Sequence, residues 1–372
     1  MSKSTIPMKV KAELWWKAAG RCEFKGCNKP LYEHDITFDN CNLSNCAHII
    51  ADSPNGPRGT EQSKELAKEA QNIMLMCPEC HKYIDHEGKD KYDADTLFEM
   101  KRHHEDRMKY LTGLSEDMQA HVVTYGSSIG AQTPDFNFTS LQKALLPQYY
   151  PTSTDIIHLG GRFYQGETWT DYWNTEISNL KFKCKDLIMD KIDMWEHKRI
   201  ALFGFAPMPL LVYLGTLLNN KHNVEVYQRH RDTEDWCWKS FDEDIDYSIK
   251  RPQLTNKQPV LIISLSNNIE KRVRKQYSND KSIWELSIAN PNPCFLTSKA
   301  MLTKFGRKAE IILNEITNAS EGTPINVHLS VPTACAIELG RVWMQKANSP
   351  LNIYDLCRKE DIKDKLVITI KN

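Results

Sequence analysis

The sequence predicts two modules: a small α+β unit of strand, loop, strand and helix braced by a metal ion, and behind it an α/β module of two fused strand–helix–strand copies. Three observations predict it. Cysteines come in close pairs, Cys22 with Cys27 and Cys77 with Cys80, and apolar strand-like runs lie between them. Hydrophobic strands that stop at a proline recur at Pro207 and Pro332, and each is followed by a helical pattern carrying Leu-Gly, with the glycine eight residues after the proline. Between these regions, GSSIGAQTPDFNF and LLPQYYPTST are turn-rich and poor in charge. The expected boundaries are 1–112 for the first unit, 113–150 for a connector and 151–372 for the second.

Taken in order, the chain opens on an amphipathic helix around Val10 to Gly20, with Leu14, Trp15 and Ala18 on its apolar face and Gly20 ending it. Cys22-x4-Cys27 and Cys77-x2-Cys80 are each short enough to turn two thiolates toward one tetrahedral zinc ion, and Pro78 stiffens the second loop. Cys41 and Cys46 form another x4 pair, but they run directly into a strand and are ranked second as ligands. That strand, Asn45 to Ile50, presents His48 and precedes the loop SPNGPRG. A helical insert from Glu61 to Ala70 leads to Asn72 and a second apolar run ending at Cys77, and a helix starts near Cys80. This makes a ββα unit in which His48, at the end of the first strand, faces His81 at the start of the helix, while Asn72 bonds the loop and orients the imidazole. His86 is a weaker ligand candidate, His34 has no assigned role, and His103 and His104 read as a solvated or DNA-facing helix surface.

In the second module, Arg199 to Pro207 and Ile325 to Pro332 are the proline-stopped strands, Asn223 to Tyr227 and Leu351 to Tyr354 the strands after each helix, and Val260 to Leu265 a buried strand between the copies. The pattern describes two Rossmann-like units in tandem. Ligands of such sheets sit beyond the carboxyl ends of the strands, which draws attention to Phe205 and Pro207, to Ser330, Pro332 and Thr333, and to the Ser264 to Asn268 loop. Tyr164, Trp169, Arg229, Trp236, Trp238 and Lys239 are candidates to stack on bases and neutralise phosphate charge.

Composition narrows the function classes. With 372 residues, 41% hydrophobic and 26% charged, the chain is an ordinary globular one with length for two or three domains. Lys and Arg total 48 against 48 Asp and Glu, so constitutive binding to nucleic acid through a global basic field is excluded, and any DNA contact must be local or depend on metal and assembly. The uncharged run Ala201 to Leu218 has the minimum length of a membrane span, but Pro207 and Pro209 interrupt it, which predicts a buried strand followed by a buried helix. No secretory signal is visible at the start, and paired rather than disulfide-patterned cysteines point to the reducing cytoplasm.

The N-terminal pattern C..C, HI, N, C..CH resembles the HNH endonuclease family, or ββα-metal nucleases, over about residues 10 to 110. The resemblance implies that His48 is the general base, that Asn72 positions it, and that His81 ligates a catalytic Mg²⁺, beside structural Zn²⁺ on Cys22, Cys27, Cys77 and Cys80. One departure matters: many members carry Asp directly before the catalytic histidine, and here Ala47 stands there, so Asp85, four residues after His81 on the same helical face, is the substitute Mg²⁺ ligand expected. The stretch INVHLSVPTACAIELGRVWM followed by LNIYD looks like the closing motif of SAVED domains, which are two fused CARF-like units that sense cyclic oligonucleotides. Together the two resemble the HNH-SAVED effectors of cyclic-oligonucleotide-based antiphage signalling systems (CBASS). The expectation is therefore an α+β ββα-metal (HNH) domain with structural zinc, joined to an α/β SAVED domain of two Rossmann-like (CARF-like) units. The function implied is double-stranded DNA degradation switched on when a cyclic di- or trinucleotide drives assembly of a homo-oligomer, dimer to tetramer. Two other readings of the residues stay open: a restriction-type HNH nuclease with a modified-base reader, and a non-enzymatic zinc-ribbon DNA-binding regulator with a small-molecule sensor.

Overall fold

The computed structural model describes residues 5–127, 136–161, 168–239, 245–255, 257–277, 281–357 and 363–371. The chain divides into two compact units, Met1–Leu114 and Ser115–Asn372.

In the first unit α1 (Met8–Ala18) ends where Ala19 and then Gly20 take left-handed backbone angles. Next come β1 (Asn45–His48), the short α2 (Ser63–Leu66), β2 (Ile73–Met76), α3 (Pro78–Asp85) and α4 (Ala94–Thr112). β1 and β2 pair antiparallel, with His48 opposite Ile73 and Asn45 opposite Met76. All four side chains of β2 are buried, which is why it reads as an unbroken apolar run rather than an alternating one. Pro78 occupies the first turn of α3, where a missing N–H costs nothing, and the Cys77 thiol accepts from the Cys80 N–H as its cap. The core gathers Leu14 and Ala18 of α1, Ala47, Ile49, all of β2, Ile84 of α3 and Leu97 of α4. On α4 the buried positions are 97, 101, 104 and 108, one helical face. His104 therefore lies inside, only 5% exposed, with its Nε2 donating to the Ala18 carbonyl at 3.1 Å. The expectation of a solvated His104 is overturned: the repeat of the positions outweighed the polarity of the residues. His103 is exposed.

The second unit holds two mainly parallel sheets. The chain runs through β3 (Gln119–Gly126), α5 (Phe138–Leu145), β4 (Tyr150–Pro151), β5 (Ile157–His158), α6 (Trp169–Cys184), β6 (Ile200–Phe205), α7 (Met208–Leu218) and β7 (Val224–Tyr227). It continues through β8 (Ser248–Lys250), β9 (Gln258–Ser264), α8 (Glu270–Arg274), β10 (Lys281–Ser287), α9 (Lys299–Ala319), β11 (Ile325–Ser330), α10 (Thr333–Val342), β12 (Leu351–Cys357) and β13 (Lys363–Ile370). The first sheet has the order β4-β3-β6-β7 with β5 beside β3, and the second β13-β12-β11-β9-β10-β8. In each sheet a central pair of parallel strands, β3 with β6 and β9 with β11, is followed by one helix and a third parallel strand.

The expected connector is thus wrong in part. Residues 119–126 are a central strand, the partner of β6 in a register that sets His121 opposite Ile200, and the second unit begins at Ser115 rather than at 151. β3 is eight residues long and stands next to turn-rich sequence, so its alternation was too brief to announce it.

The inner faces of both sheets share one core with α7, α9 and α10. Val123, Tyr125, Leu202, Leu261, Ile263 and Val327 point into it, while alternate residues Ala120, Val122, Ala201 and Phe203 face outward under α5, and Val260 and Ile262 under α8. The repeated Leu-Gly has a packing reason. A Cβ on Gly340 would stand 2.0 Å from the Val212 carbonyl oxygen, and one on Gly215 would stand 2.1 Å from that of Ile337, so α7 and α10 touch backbone to backbone at the two glycines. The uncharged run at 201–218 is β6 with the eleven-residue α7, and among the described residues no helix is long and apolar enough to cross a membrane.

Candidate functional site

In the first unit the four sulfurs of Cys22, Cys27, Cys77 and Cys80 lie within 4.8 Å of one another, and those of Cys27 and Cys77 are 4.0 Å apart. Tetrahedral zinc with bonds of about 2.3 Å requires sulfurs roughly 3.8 Å apart, so the set fits a closed structural site. Burial pushes the Cys22 thiol up to about 12 and raises Cys77 and Cys80 as well. For Cys27 burial acts the same way, but hydrogen bonds from the Lys29 backbone and the neighbouring cysteines outweigh it and the thiol sits below its ordinary value. Cys41 and Cys46 are not in the cluster.

β1 ends at His48, half-buried, whose Nε2 contacts the Ala67 carbonyl at 2.9 Å. A carbonyl can only accept, so Nε2 carries a proton, and in the neutral ring Nδ1 is then the nitrogen that keeps its lone pair. Asn72, fully buried, precedes β2 and grips the loop beyond His48: its amide donates to the carbonyls of Ile50 (2.9 Å) and Leu66 (3.2 Å), and its Oδ1 accepts from the Ile50 N–H at 2.9 Å. The Leu66 bond steadies the turn that carries the Ala67 carbonyl, so Asn72 acts on the imidazole through the loop. On α3, His81 Nε2 and Asp85 Oδ2 are 3.3 Å apart. Two neighbouring corners of an octahedron with bonds of about 2.1 Å are about 3 Å apart, so a divalent cation could be held by these two atoms only in place of the proton between them. Burial opposes ionisation of Asp85, but hydrogen bonds from His81 and Arg58 prevail and hold its carboxyl below the usual range.

Arg58 was not anticipated. It comes from the SPNGPRG loop, its side chain is 8% exposed, and every arm of the guanidinium is used: Nε donates to the Ile49 carbonyl (2.7 Å), Nη1 to that of Ile84 (3.0 Å), and Nη2 to Asp85 Oδ1 (3.0 Å) and the His48 carbonyl (3.4 Å). One side chain thereby ties the end of β1 to the end of α3. The Pro-Arg-Gly sequence inside a loop flanked by site residues was the available signal, but nothing in its spacing says where the arginine reaches.

In the second unit the expected ligand residues fall into two groups. At the carboxyl end of the first sheet the Arg229 guanidinium lies 5.8 Å over the Phe205 ring, Pro207 caps α7, and Trp169 begins α6 edge-on to Trp173 at 5.5 Å. Trp238 meets His230 edge-on at 5.8 Å, and Lys239 pairs with Asp232. At the end of the second sheet the Ser330 carbonyl accepts from the N–H groups of Leu265 (2.8 Å) and Ser266 (2.7 Å), and Pro332 caps α10. One expectation fails here. Trp236 is fully buried, stacked on Phe136 at 5.8 Å and edge-on to Phe203, so it is core and offers no face to a base. At the amino end of α10, Gln228 Oε1 accepts from the Ala334 N–H (3.1 Å) and the Thr333 hydroxyl (3.3 Å). Gln228 follows β7, so this bond ties the two copies together. Tyr164 lies outside the described residues.

Comparison with known proteins bears on this unit. Residues 182–364 match the model of SAVED, the "SMODS-associated and fused to various effectors sensor domain". The chain carries a SAVED domain. The match begins inside α6 and ends in β13, so it contains both prolines and both crossing glycines, whereas β3, α5, β4 and β5 precede it. Among solved structures, the Acinetobacter baumannii Cap4 SAVED/CARF-domain containing receptor with the cyclic trinucleotide 2'3'3'-cAAA is similar at 13% identity, over 84% of this chain and 67% of that one, with a TM-score of 0.45. The same receptor with 3'3'3'-cAAA is 12% identical at the same coverage and TM-score. The Moraxella osloensis Cap4 receptor is 12% identical, over 84% and 66%, at 0.40. No curated protein matches the chain. Within the SAVED domain, Phe205, Arg229, Ser330 and Pro332 keep their positions at or just beyond strand ends, while Trp236 drops out.

Proposed function

We propose that this chain is a cyclic-oligonucleotide-activated, metal-dependent HNH endonuclease that degrades double-stranded DNA in antiphage defence, with a SAVED domain as its switch. The observation that carries the nuclease reading is the hydrogen bond from His48 Nε2 to the Ala67 carbonyl, which in the neutral ring leaves Nδ1 as the base. In this reading His48 takes the proton from the attacking water, and Asn72 holds the loop that orients the ring. His81 and Asp85 would hold Mg²⁺, which when bound offsets charge on the scissile phosphate and its leaving oxygen. Cys22, Cys27, Cys77 and Cys80 would hold structural Zn²⁺.

The switch reading rests on the SAVED match and on the cyclic trinucleotides named with the Cap4 receptors. A formal charge of zero suits an enzyme that grips DNA poorly as one subunit and well as an assembly. The test is a cleavage screen of duplex DNA against cyclic di- and trinucleotides with and without Mg²⁺, run on wild type and His48→Ala. His48→Ala should keep nucleotide binding and zinc while cutting at least ~10²-fold more slowly. Cleavage at the wild-type rate removes His48 from the mechanism, and wild-type cleavage with no nucleotide present removes the switch.

A further inference from the structure

Arg58 combines two features. Its side chain is nearly buried with all three nitrogens engaged, and its backbone holds φ at +55°, a left-handed angle that a side-chain-bearing residue adopts at a cost of about 1 kcal/mol or more. The loop is tightly packed at this point, since a Cβ on the next residue, Gly59, would stand 2.4 Å from the Pro54 carbonyl oxygen. Strain kept in place by packing, with the side chain aimed between two elements, marks a position selected for where the guanidinium lands. It lands on four acceptors: the carbonyls of His48 and Ile49 at the end of the strand that carries the base, the Ile84 carbonyl, and Oδ1 of Asp85. Occupying Oδ1 turns Oδ2 toward His81 Nε2, 3.3 Å away.

We propose that Arg58 is the positioning residue of the centre: it sets the strand bearing His48 in register with the His81–Asp85 turn, and it leaves one oxygen of Asp85 to a divalent cation. This rests on the cation reading of His81 and Asp85. Lysine cannot substitute, because a single ammonium has neither the fork nor the planarity to bridge a carboxylate and carbonyls on two elements. With Asp absent at Ala47, the arginine supplies by orientation what the strand does not supply by ligation.

The test uses the full chain with ¹⁵N-labelled histidine, titrated with Mn²⁺ alone, and reads paramagnetic relaxation at the imidazoles of His48 and His81 in wild type, Arg58→Gln and Arg58→Lys. Wild type should show strong relaxation at both rings. In both variants, with zinc content unchanged, relaxation at His48 relative to His81 should fall about threefold, as a displacement of about 1 to 2 Å produces in an inverse-sixth-power effect. A ratio equal to wild type in either zinc-retaining variant overturns the proposal. Wild type with His81 untouched by Mn²⁺ overturns the cation reading itself, and wild type with His81 affected and His48 not overturns the register alone. Zinc lost from Arg58→Lys as well as from Arg58→Gln makes Arg58 a requirement of the fold and also overturns the proposal.

Discussion

At the scale of residues, the first unit separates what holds the fold from what would do chemistry. A metal ion on the four cysteines would tie the start of α3 to the loop of Cys22 and Cys27, and His48, Asn72, Arg58, His81 and Asp85 lie on the β1, β2 and α3 segments beside it. Cys77→Ser should abolish zinc binding and unfold residues 1–114, because structural zinc supplies much of the folding energy of so small a unit. Zinc stoichiometry measured on the purified variant checks this, and retained zinc speaks against the four-cysteine site. In the second unit His328 and Asp364 form a buried pair, Nδ1 to Oδ2 at 2.6 Å, with Arg272 on the other oxygen and the Tyr277 hydroxyl on Nε2 at 2.7 Å. Burial alone would raise the Asp364 carboxyl, but His328 and Arg272 hold it below its ordinary value. A depressed carboxylate contributes stability above its unfolded pKa of about 3.9 and loses it as pH falls through the lower folded value. Asp364→Asn should therefore cost about 3 kcal/mol at pH 7, and the gap to wild type should close below about pH 4 in denaturant melts. A gap independent of pH would show that the charge is not what matters there.

At the scale of elements, the two copies of strand, proline and helix meet at Gly215 and Gly340. Because the neighbours of each added Cβ are backbone atoms, the clash cannot be relieved by a rotamer change. Gly340→Ala should destabilise the second unit by about 3 kcal/mol, lowering its melting temperature by roughly 6 to 12 °C. A smaller effect in thermal denaturation would mean that the helices separate cheaply. The Leu-Gly repeat was legible because close helix packing leaves a mark at a fixed distance from the strand end. β3 was not: its burial on both faces comes from α5 outside and the shared core inside, and neither is near it in the pattern of the sequence. His104 failed for the opposite reason, since residue polarity was weighed above its place among positions 97, 101 and 108.

At the scale of the whole molecule, a unit with a four-cysteine cluster and a unit carrying a SAVED domain share one chain. If the second is a nucleotide sensor in its own right, a cyclic trinucleotide at about 100 times its Kd should stabilise it by about 2.7 kcal/mol, and by the same amount in Cys77→Ser. Differential scanning of both proteins with 3'3'3'-cAAA and 2'3'3'-cAAA reads this, and a shift confined to wild type would mean that the sensor depends on the intact first unit. The sequence alone determined the cysteine pairs and the paired strand-proline-helix copies, because each is a local spacing set by short loops or by the periods of helix and strand. Only the tertiary structure decided that Arg58 joins β1 to α3, that Gln228 fills the end of α10, that Trp236 is core and that β3 belongs to the sheet. Those facts depend on contacts between residues far apart in the chain, and such contacts leave no periodic trace.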